Sequence, residues 1–261
     1  MALIDAAGIT VGYEVAGSGP PLVLLHGGLC DRRVWREQVE LLAADFTVIA
    51  WDTPGCGESS DPETPYNLAD YATCLAEFLS LLEATPAHVV GHSWGGGLAL
   101  QVAADHPHAV RSLVLIGGYA GWKGSLSAAE VERRLAKALE AADLVPERFD
   151  PRTVPGLFSD RIAPDRAREL ADVMAETRPP GTRAMAVAFA EADLRDRLGD
   201  IAVPTLLLYG ADDVRAPAEV AEQLHANIPG STLVLLPDLG HESYLEDPET
   251  VAAAVRDFIA Y

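Results

Sequence analysis

Short runs of apolar residues alternate with amphipathic stretches along most of the 261-residue chain. Runs without polar alternation predict buried strands, and they lie at residues 21–25, 46–51, 87–91, 110–118, 204–210 and 231–237. Helical patterns follow most of these runs, around residues 35–43, 67–82, 98–103, 217–227 and 248–259. A β-hairpin within residues 8–20 precedes the first run. Buried strands that alternate with helices predict an α/β fold, with a parallel sheet covered by helices on both faces.

The alternating pattern stops after Gly118 and resumes at Val203. The residues between are rich in Ala, Glu and Arg and mostly helical in pattern. Residues 122–198 carry 13 Lys and Arg against 14 Asp and Glu, whereas the rest of the chain carries 6 against 25. We therefore predict a core domain of residues 1–119 and 199–261. Residues 120–198 form a helical cap, inserted after the sixth strand over the carboxyl edge of the sheet, where such sheets bind ligands.

Composition narrows the classes of partner. A net charge of −20 argues against nucleic acid and against anionic membranes, because both repel such a surface. The three cysteines (Cys30, Cys56 and Cys74) have no spacing typical of a disulfide framework or a zinc site. The amino terminus lacks the basic start and apolar run of a signal peptide. These features predict a soluble cytoplasmic protein. They leave the oligomeric state open, with a homo-oligomer as one option.

One serine stands at a glycine-rich corner in the stretch "VVGHSWGGGLALQVAA", residues 89–104. Gly91, Ser93 and Gly95 give the form G-x-S-x-G, which suits a sharp strand-to-helix turn that holds the serine in a strained conformation. The pattern should occur by accident in roughly one chain in ten of this length. On this pattern alone, Ser93 is either a nucleophile or a plain turn residue.

A serine nucleophile needs a base, and the base needs an orienting carboxylate. Asp212 and Asp213 follow the run at 204–210, and His241 follows the run at 231–237. The carboxyl ends of parallel strands meet at one edge of a sheet, so these side chains are predicted to lie near Ser93. The order Ser, Asp, His along the chain is the order expected for this architecture.

Almost the whole chain resembles an α/β-hydrolase with a helical cap. The motifs that carry the resemblance are "LLHGG" (24–28), "DTPGCGESS" (52–60), "GHSWGG" (91–96), "GADDVRAP" (210–217) and "GHESYLEDPE" (240–249). In order, they are similar to the oxyanion loop, the turn after the fourth strand, the nucleophile elbow, and the acid and base loops of that family. The resemblance implies a mostly parallel, eight-stranded sheet.

The resemblance also implies the roles of particular residues. The acid of the family usually lies three residues after the glycine that closes its strand, which favours Asp213 over Asp212. Ser93, Asp213 and His241 would then form the catalytic triad. The oxyanion-hole donors would be the backbone N–H groups of Trp94 and Gly28, with Leu29 as the weaker alternative to Gly28.

Other residues have competing interpretations. The candidates to line a substrate pocket are Leu29, Trp122, Phe149, Phe158, Met174, Met185 and Phe189, although about half of the cap residues among them should instead pack the cap onto the core.

Three arginines in the cap could bind an anionic substrate group or form salt bridges: Arg178, Arg183 and Arg195. His26 could be catalytic but is expected to shape its loop, His92 is expected to have a structural role, and Asp52 is expected to organise its turn. Cys30 and Cys56 are expected to be inert or oxidation-sensitive thiols rather than nucleophiles, because neither has a local base.

The predicted activity is hydrolysis of a small carboxylic ester or lactone through an acyl-enzyme, with no metal and no organic cofactor. Within the family, the alternatives are an aminopeptidase similar to proline iminopeptidases, a carbon–carbon bond hydrolase, and a perhydrolase. "HGG" and "SWGG" resemble the iminopeptidases, but Leu29-Cys30 stands where they usually have Pro-Gly. A non-hydrolytic binding protein or receptor is the alternative from another class.

Overall fold

The computed structural model describes residues 1–142, 154 and 156–260. The described strands are β1 (Ala2–Ala6), β2 (Ile9–Ala16), β3 (Pro21–Leu25), β4 (Thr47–Trp51), β5 (Ala87–His92), β6 (Val110–Ile116), β7 (Thr205–Gly210) and β8 (Thr232–Leu236). They form one eight-stranded sheet in the order β1-β2-β4-β3-β5-β6-β7-β8. β2 is antiparallel to β1 and β4, and every other neighbouring pair is parallel. The mostly parallel, eight-stranded sheet is therefore confirmed.

The helices among the described residues are α1 (Arg36–Leu42), α2 (Leu68–Leu81), α3 (Trp94–Asp105), α4 (Trp122–Ser125), α5 (Ala128–Ala141), α6 (Pro164–Ala175), α7 (Pro179–Glu191), α8 (Ala218–Asn227), α9 (Ser243–Glu246) and α10 (Pro248–Ala260). Local chemistry sets where they begin. At α2, the Asn67 side chain accepts hydrogen bonds from the N–H groups of Ala69 and Asp70, and the Asp70 carboxylate accepts one from the Asn67 N–H. No described helix combines the length and apolar character needed to cross a bilayer.

Helices cover both faces of the sheet because the strands are apolar on both sides. Val23 and Leu25 of β3 belong to an apolar cluster that includes residues of α2 and α3. Leu22 and Leu24 of the same strand belong to a second cluster, which includes residues of α1 and α10. Successive side chains of a strand point to opposite faces, so a continuous apolar run is what a doubly covered strand requires.

The amino-terminal hairpin corrects one boundary of the sequence analysis. Its strands are β1 and β2, with the turn at Ala7 and Gly8, rather than two strands within residues 8–20. Both turn residues have positive φ, 50° and 77°, as a tight hairpin requires. The glycines at 17 and 19 instead lie in the connection between β2 and β3, and β2 pairs with β4.

Between β6 and β7, the described chain contains only helices and their connections: α4 to α7 and a 3-10 helix at Arg195–Asp200. Ion pairs join this segment to the rest of the molecule, among them Arg33–Glu176 at 2.6 Å and Arg36–Glu169 at 2.9 Å. The helical character of the insertion agrees with the predicted cap. Its limits at residues 120 and 198, and the division into two domains, stay a prediction.

Candidate active site

Ser93 lies at the sharp turn between β5 and α3, with φ 51° and ψ −109°. Such a conformation is strained for a residue with a side chain and persists only when its surroundings hold it. The Ser93 N–H donates to the Ile116 carbonyl oxygen at 2.9 Å. A Cβ on Gly91 would collide with the Gly95 carbonyl, and a Cβ on Gly95 with the Leu25 carbonyl. Close backbone approach therefore explains both glycines of the G-x-S-x-G pattern.

His241 and Asp213 form a buried pair at the ends of β8 and β7. The His241 Nδ1–H donates to Asp213 Oδ2 at 2.7 Å. The other carboxylate oxygen, Oδ1, accepts the backbone N–H groups of Arg215 and Ala216, each at 2.8 Å. Asp213 is only 3% exposed, whereas its neighbour Asp212 is exposed. The structure thus places Asp213, and not Asp212, against the histidine.

Ser93, His241 and Trp94 line one cavity of about 590 Å³. Among the described residues, the Ser93 hydroxyl has no hydrogen-bond partner. The bond between a nucleophile and its base often tightens only when substrate is present. Gly117 packs closely against the Asp213–His241 pair. A Cβ at this position would lie 3.1 Å from His241 Nδ1 and 3.2 Å from Asp213 Oδ2, and the φ of 54° also favours glycine.

His26 orients the loop that carries the predicted oxyanion-hole donor. Its Nε2 accepts the Thr53 N–H at 3.1 Å, so its Nδ1 carries the proton and donates to the Gly27 carbonyl oxygen at 2.8 Å. Burial lowers the pKa of His26, which keeps the ring neutral. The Gly28 N–H belongs to the same trans peptide unit as the Gly27 carbonyl and points the opposite way. Gly28 and Leu29 both line the cavity, and the choice of the Gly28 N–H as the donor stays a prediction.

Trp94 supplies the second predicted donor and a contact with the cap. As the first residue of α3, it has a backbone N–H without a partner inside the helix. Its indole Nε1–H donates to the Met185 carbonyl oxygen on α7 at 3.1 Å. The ring also packs edge-on against Tyr71, with centroids 5.1 Å apart. The side chain therefore joins the serine turn to α7.

A buried cluster packs against the Asp213–His241 pair and consists of His92, Glu242 and Tyr244. The His92 Nε2–H donates to the His241 carbonyl oxygen at 3.1 Å, and the two rings pack at an angle of 55° with centroids 4.8 Å apart. Burial lowers the pKa of His92 well below its ordinary value, and burial raises the pKa of the Glu242 carboxyl. His92 thus supports the His241 loop as a neutral ring, in line with its expected structural role.

His92, His241 and Glu242 also have ligand atoms within 4.8 Å of one another, and these are donor types that bind divalent metals. Two of the four imidazole nitrogens already form hydrogen bonds, since His241 Nδ1 donates to Asp213 and His92 Nε2 donates to a carbonyl oxygen. These two nitrogens serve hydrogen bonding, whereas His92 Nδ1 and Glu242 Oε2 are buried without a hydrogen-bond partner among the described residues.

The pocket candidates divide between the cavity and the packing of the cap. Those that line the cavity are Leu29, Trp122, Met174, Met185 and Phe189. Phe158 does not line the described cavity: it packs half-buried against the apolar cluster that includes Leu239 and Leu245, which corrects that prediction. Phe149 lies outside the described residues.

None of the three predicted cap arginines is among the described residues that line the cavity. Arg178 donates to the Gly57 carbonyl oxygen at 2.6 Å and pairs with Asp61 at 2.9 Å. Arg195 pairs with Asp193 at 2.6 Å. These two arginines follow the salt-bridge interpretation rather than that of an anion site. The cations that do line the cavity are Arg133, Arg134, Lys137 and Arg215.

Sequence reasoning did not single out these four cations or Glu242. Arg215 lies two residues after Asp213 in the acid loop, and Glu242 directly follows His241, so proximity to the motifs was the signal available for both. The three cations on α5 had no comparable signal in the sequence, because a charged helix face usually points to solvent.

Asp52 and the two cysteines have structural surroundings. The buried Asp52 carboxylate pairs with Arg32 and accepts the Glu58 N–H at 2.9 Å, which holds the turn after β4. Burial raises the pKa of the Cys30 and Cys56 thiols. Both thiols therefore remain protonated and poorly nucleophilic, as expected.

Comparison with known proteins identifies the family. The model of the alpha/beta hydrolase fold matches residues 20–181 and 175–248 of the chain. The chain belongs to this family. The relatives and solved structures that it resembles include esterases and lactonases, and the chain is a hydrolytic enzyme of this fold.

Three of these relatives show the range of substrates. A putative carbamate hydrolase, RutD, of Azorhizobium caulinodans is 34% identical over 227 residues, which is 85% of this chain and 84% of that protein. A thermophilic esterase from Thermogutta terrifontis is 29% identical with a TM-score of 0.89, over 99% of this chain and 97% of its own. The enol-lactonase from Burkholderia xenovorans LB400 is 25% identical with a TM-score of 0.90, over the whole of both chains.

Proposed function

We propose that this enzyme hydrolyses a small carboxylic ester or lactone through an acyl-enzyme formed on Ser93. The observation that carries the proposal is one cavity lined by a serine in a strained turn and by a histidine whose Nδ1 is bonded to a buried carboxylate. That combination supplies a nucleophile, a base and an orienting group. The esterase and the lactonase among the similar structures support the same class of reaction.

The proposed reaction has two halves. Ser93 Oγ attacks the carbonyl carbon while its proton passes to His241 Nε2, the nitrogen left free by the bond to Asp213. The negative charge on the carbonyl oxygen is stabilised by the N–H groups of Trp94 and Gly28. As the C–O bond breaks, His241 returns the proton to the leaving alkoxide. Water then attacks the acyl-enzyme with His241 again as base, which releases the acid and restores Ser93.

The charges of the cavity disfavour an aminopeptidase. Four cations line the described wall, against three carboxyl groups (Glu130, Glu140 and Glu242). A substrate with a free ammonium group would be repelled by that excess. Carbon–carbon bond hydrolysis and perhydrolysis would use the same serine, histidine and aspartate, so substrate tests separate them from ester hydrolysis.

The first experiment measures release of p-nitrophenol from p-nitrophenyl esters, acetate to octanoate, by the wild type and by Ser93→Ala. We expect the wild type to turn over and the variant to lose at least about 10⁴-fold in kcat, because the nucleophile is removed. A fluorophosphonate should label the wild type on Ser93, located by mass spectrometry of the peptides.

Ser80→Ala is the matched control, because Ser80 is exposed on α2 and is not among the described residues that line the cavity. It should keep wild-type turnover and labelling. Turnover that survives in Ser93→Ala would overturn the proposal. Tight stoichiometric ester binding by a folded wild type, without turnover, would instead identify a binding protein.

A further inference from the structure

Among the described residues, four cations line the proposed catalytic cavity, although the chain as a whole carries a net charge of −20. Arg133, Arg134 and Lys137 come from α5, and Arg215 comes from the loop after β7. The described carboxyl groups that line the same cavity are those of Glu130, Glu140 and Glu242. Cations remain in excess even with all three carboxyl groups ionised, and burial raises the pKa of Glu242, which lessens its negative charge.

Arg215 is the cavity cation whose backbone bonds the proposed catalytic acid. Its backbone N–H donates to Asp213 Oδ1 at 2.8 Å, and its backbone carbonyl accepts Arg134 Nη2 at 2.9 Å and the Tyr119 hydroxyl. The backbone of the residue is therefore fixed from both sides. Its side chain is different: the Nε–H is buried without a hydrogen-bond partner, and no described carboxylate pairs with the guanidinium. An unpaired buried donor is costly, and a ligand carboxylate would satisfy it.

The cations of α5 are only partly neutralised. Glu130 accepts hydrogen bonds from Arg133 Nη2 at 2.6 Å and from Arg134 Nε at 2.6 Å, so one carboxylate faces two guanidinium groups. Lys137 makes no ion pair with the residues that the structure describes. The described lining of the cavity thus keeps positive charge that the described carboxyl groups do not fully neutralise.

We propose that the substrate is an ester or lactone that also carries a free carboxylate, bound by the Arg215 guanidinium with support from Lys137. This inference rests on the proposed function and adds the substrate class. Apolar side chains of Leu157, Met185 and Phe189 line the same cavity and would contact the hydrocarbon part. A guanidinium binds a carboxylate through two parallel hydrogen bonds, which makes Arg215 the specificity-determining residue.

The test compares monomethyl adipate with dimethyl adipate, which differ by one charge and one methyl group. Methanol release gives kcat/KM for each ester with the wild type, Arg215→Met and Arg215→Lys. We expect the wild type to prefer the monoester and Arg215→Met to lower that preference about 10- to 100-fold, mainly through KM. Arg215→Lys should recover part of the preference, because it keeps the charge but not the planar pair of donors.

Arg195→Met is the matched control, since Arg195 is exposed, pairs with Asp193 and is not among the cavity residues. It should keep the wild-type preference. Equal hydrolysis of the two esters by the wild type, or an unchanged preference in folded Arg215→Met, overturns the inference while the proposed function stands. If folded wild type hydrolyses neither these esters nor the p-nitrophenyl series, the proposed function fails, and the inference with it.

Discussion

Asp212 and Asp213 are adjacent acids in very different surroundings. Asp213 is buried, and both of its carboxylate oxygens have fixed partners, since Oδ1 accepts two backbone N–H groups and Oδ2 accepts the His241 Nδ1–H. Asp212 is exposed, and its backbone N–H donates to the Leu239 carbonyl. The sequence left both as candidates because they differ by one position in the same motif. Burial and hydrogen bonding separate them.

We expect Asp213→Asn to lower kcat for p-nitrophenyl acetate by about 10³- to 10⁴-fold. The two backbone N–H groups require an acceptor at Oδ1, so the amide nitrogen of the asparagine would face His241 Nδ1. The imidazole would then adopt the tautomer that leaves Nε2 protonated and unable to accept the serine proton. Asp212→Asn is the matched control and should stay within about twofold of the wild type, as expected of a surface change. Equal losses in both variants would contradict this assignment.

His26 bonds the Gly27 carbonyl, and we expect it to act as a positioning residue for the neighbouring Gly28 N–H. His26→Phe removes both ring hydrogen bonds, frees the peptide to rotate and should lower kcat about 10- to 100-fold, less than the full loss of an oxyanion-hole donor. KM should change far less, because the charge that the Gly28 N–H stabilises develops only in the transition state.

His26→Asn is the conservative comparison, because its amide nitrogen can replace Nδ1 as the donor to the Gly27 carbonyl. Steady-state kinetics should show it recovering most of the kcat lost in His26→Phe. A purely structural role for His26 would instead lower the melting temperature of both variants with no recovery of kcat in His26→Asn.

At the level of secondary-structure elements, the residues of the candidate site lie on loops at the carboxyl edge of the sheet. The loops after β3, β5, β7 and β8 carry Gly28, Ser93, Asp213 and His241, which lie far apart in the chain. Parallel strands bring those loops to one edge without any contact between the motifs in sequence. Because strand runs and loop motifs are local features, the sequence was sufficient to predict this arrangement.

The amino-terminal hairpin and the cap were harder to predict, for different reasons. Ala7 adopts positive φ in the hairpin turn, and alanine is not a turn signal, whereas the glycines at 17 and 19 are. In the cap, the helical pattern was clear, but the pattern does not say which face of a helix meets the cavity. Phe189 belongs to an apolar core cluster and also lines the cavity, whereas Phe158 packs against the other cluster and is not among the described cavity residues; only the tertiary packing distinguishes them.

Which arginines line the cavity is likewise decided by tertiary packing. Arg178 and Arg215 are equally charged, yet Arg178 binds the turn after β4 while Arg215 faces the cavity without a carboxylate partner among the described residues. Whether an arginine is available to a ligand depends on which carboxylates lie nearby in space. That information is absent from the local sequence.

For the whole molecule, the excess of negative charge is uneven. The ion pairs of the described chain are mostly exposed at one or both partners and contribute little individually. Residues 122–198 are nearly balanced, so the excess lies on the rest of the chain, which includes all eight strands. Repulsion among these carboxylates disfavours the compact state more than the expanded unfolded chain.

We therefore expect added salt to stabilise the protein. Raising the ionic strength from about 10 mM to about 150 mM shortens the screening length from about 30 Å to about 8 Å and weakens the long-range repulsion. A gain of about 1 kcal/mol would raise Tm by about 2–4 °C for a chain of this size. Scanning calorimetry in sodium chloride, repeated in choline chloride, measures the shift and separates screening from binding of sodium ions. A fall in Tm with both salts would mean that the ion pairs outweigh the net repulsion and would contradict the prediction.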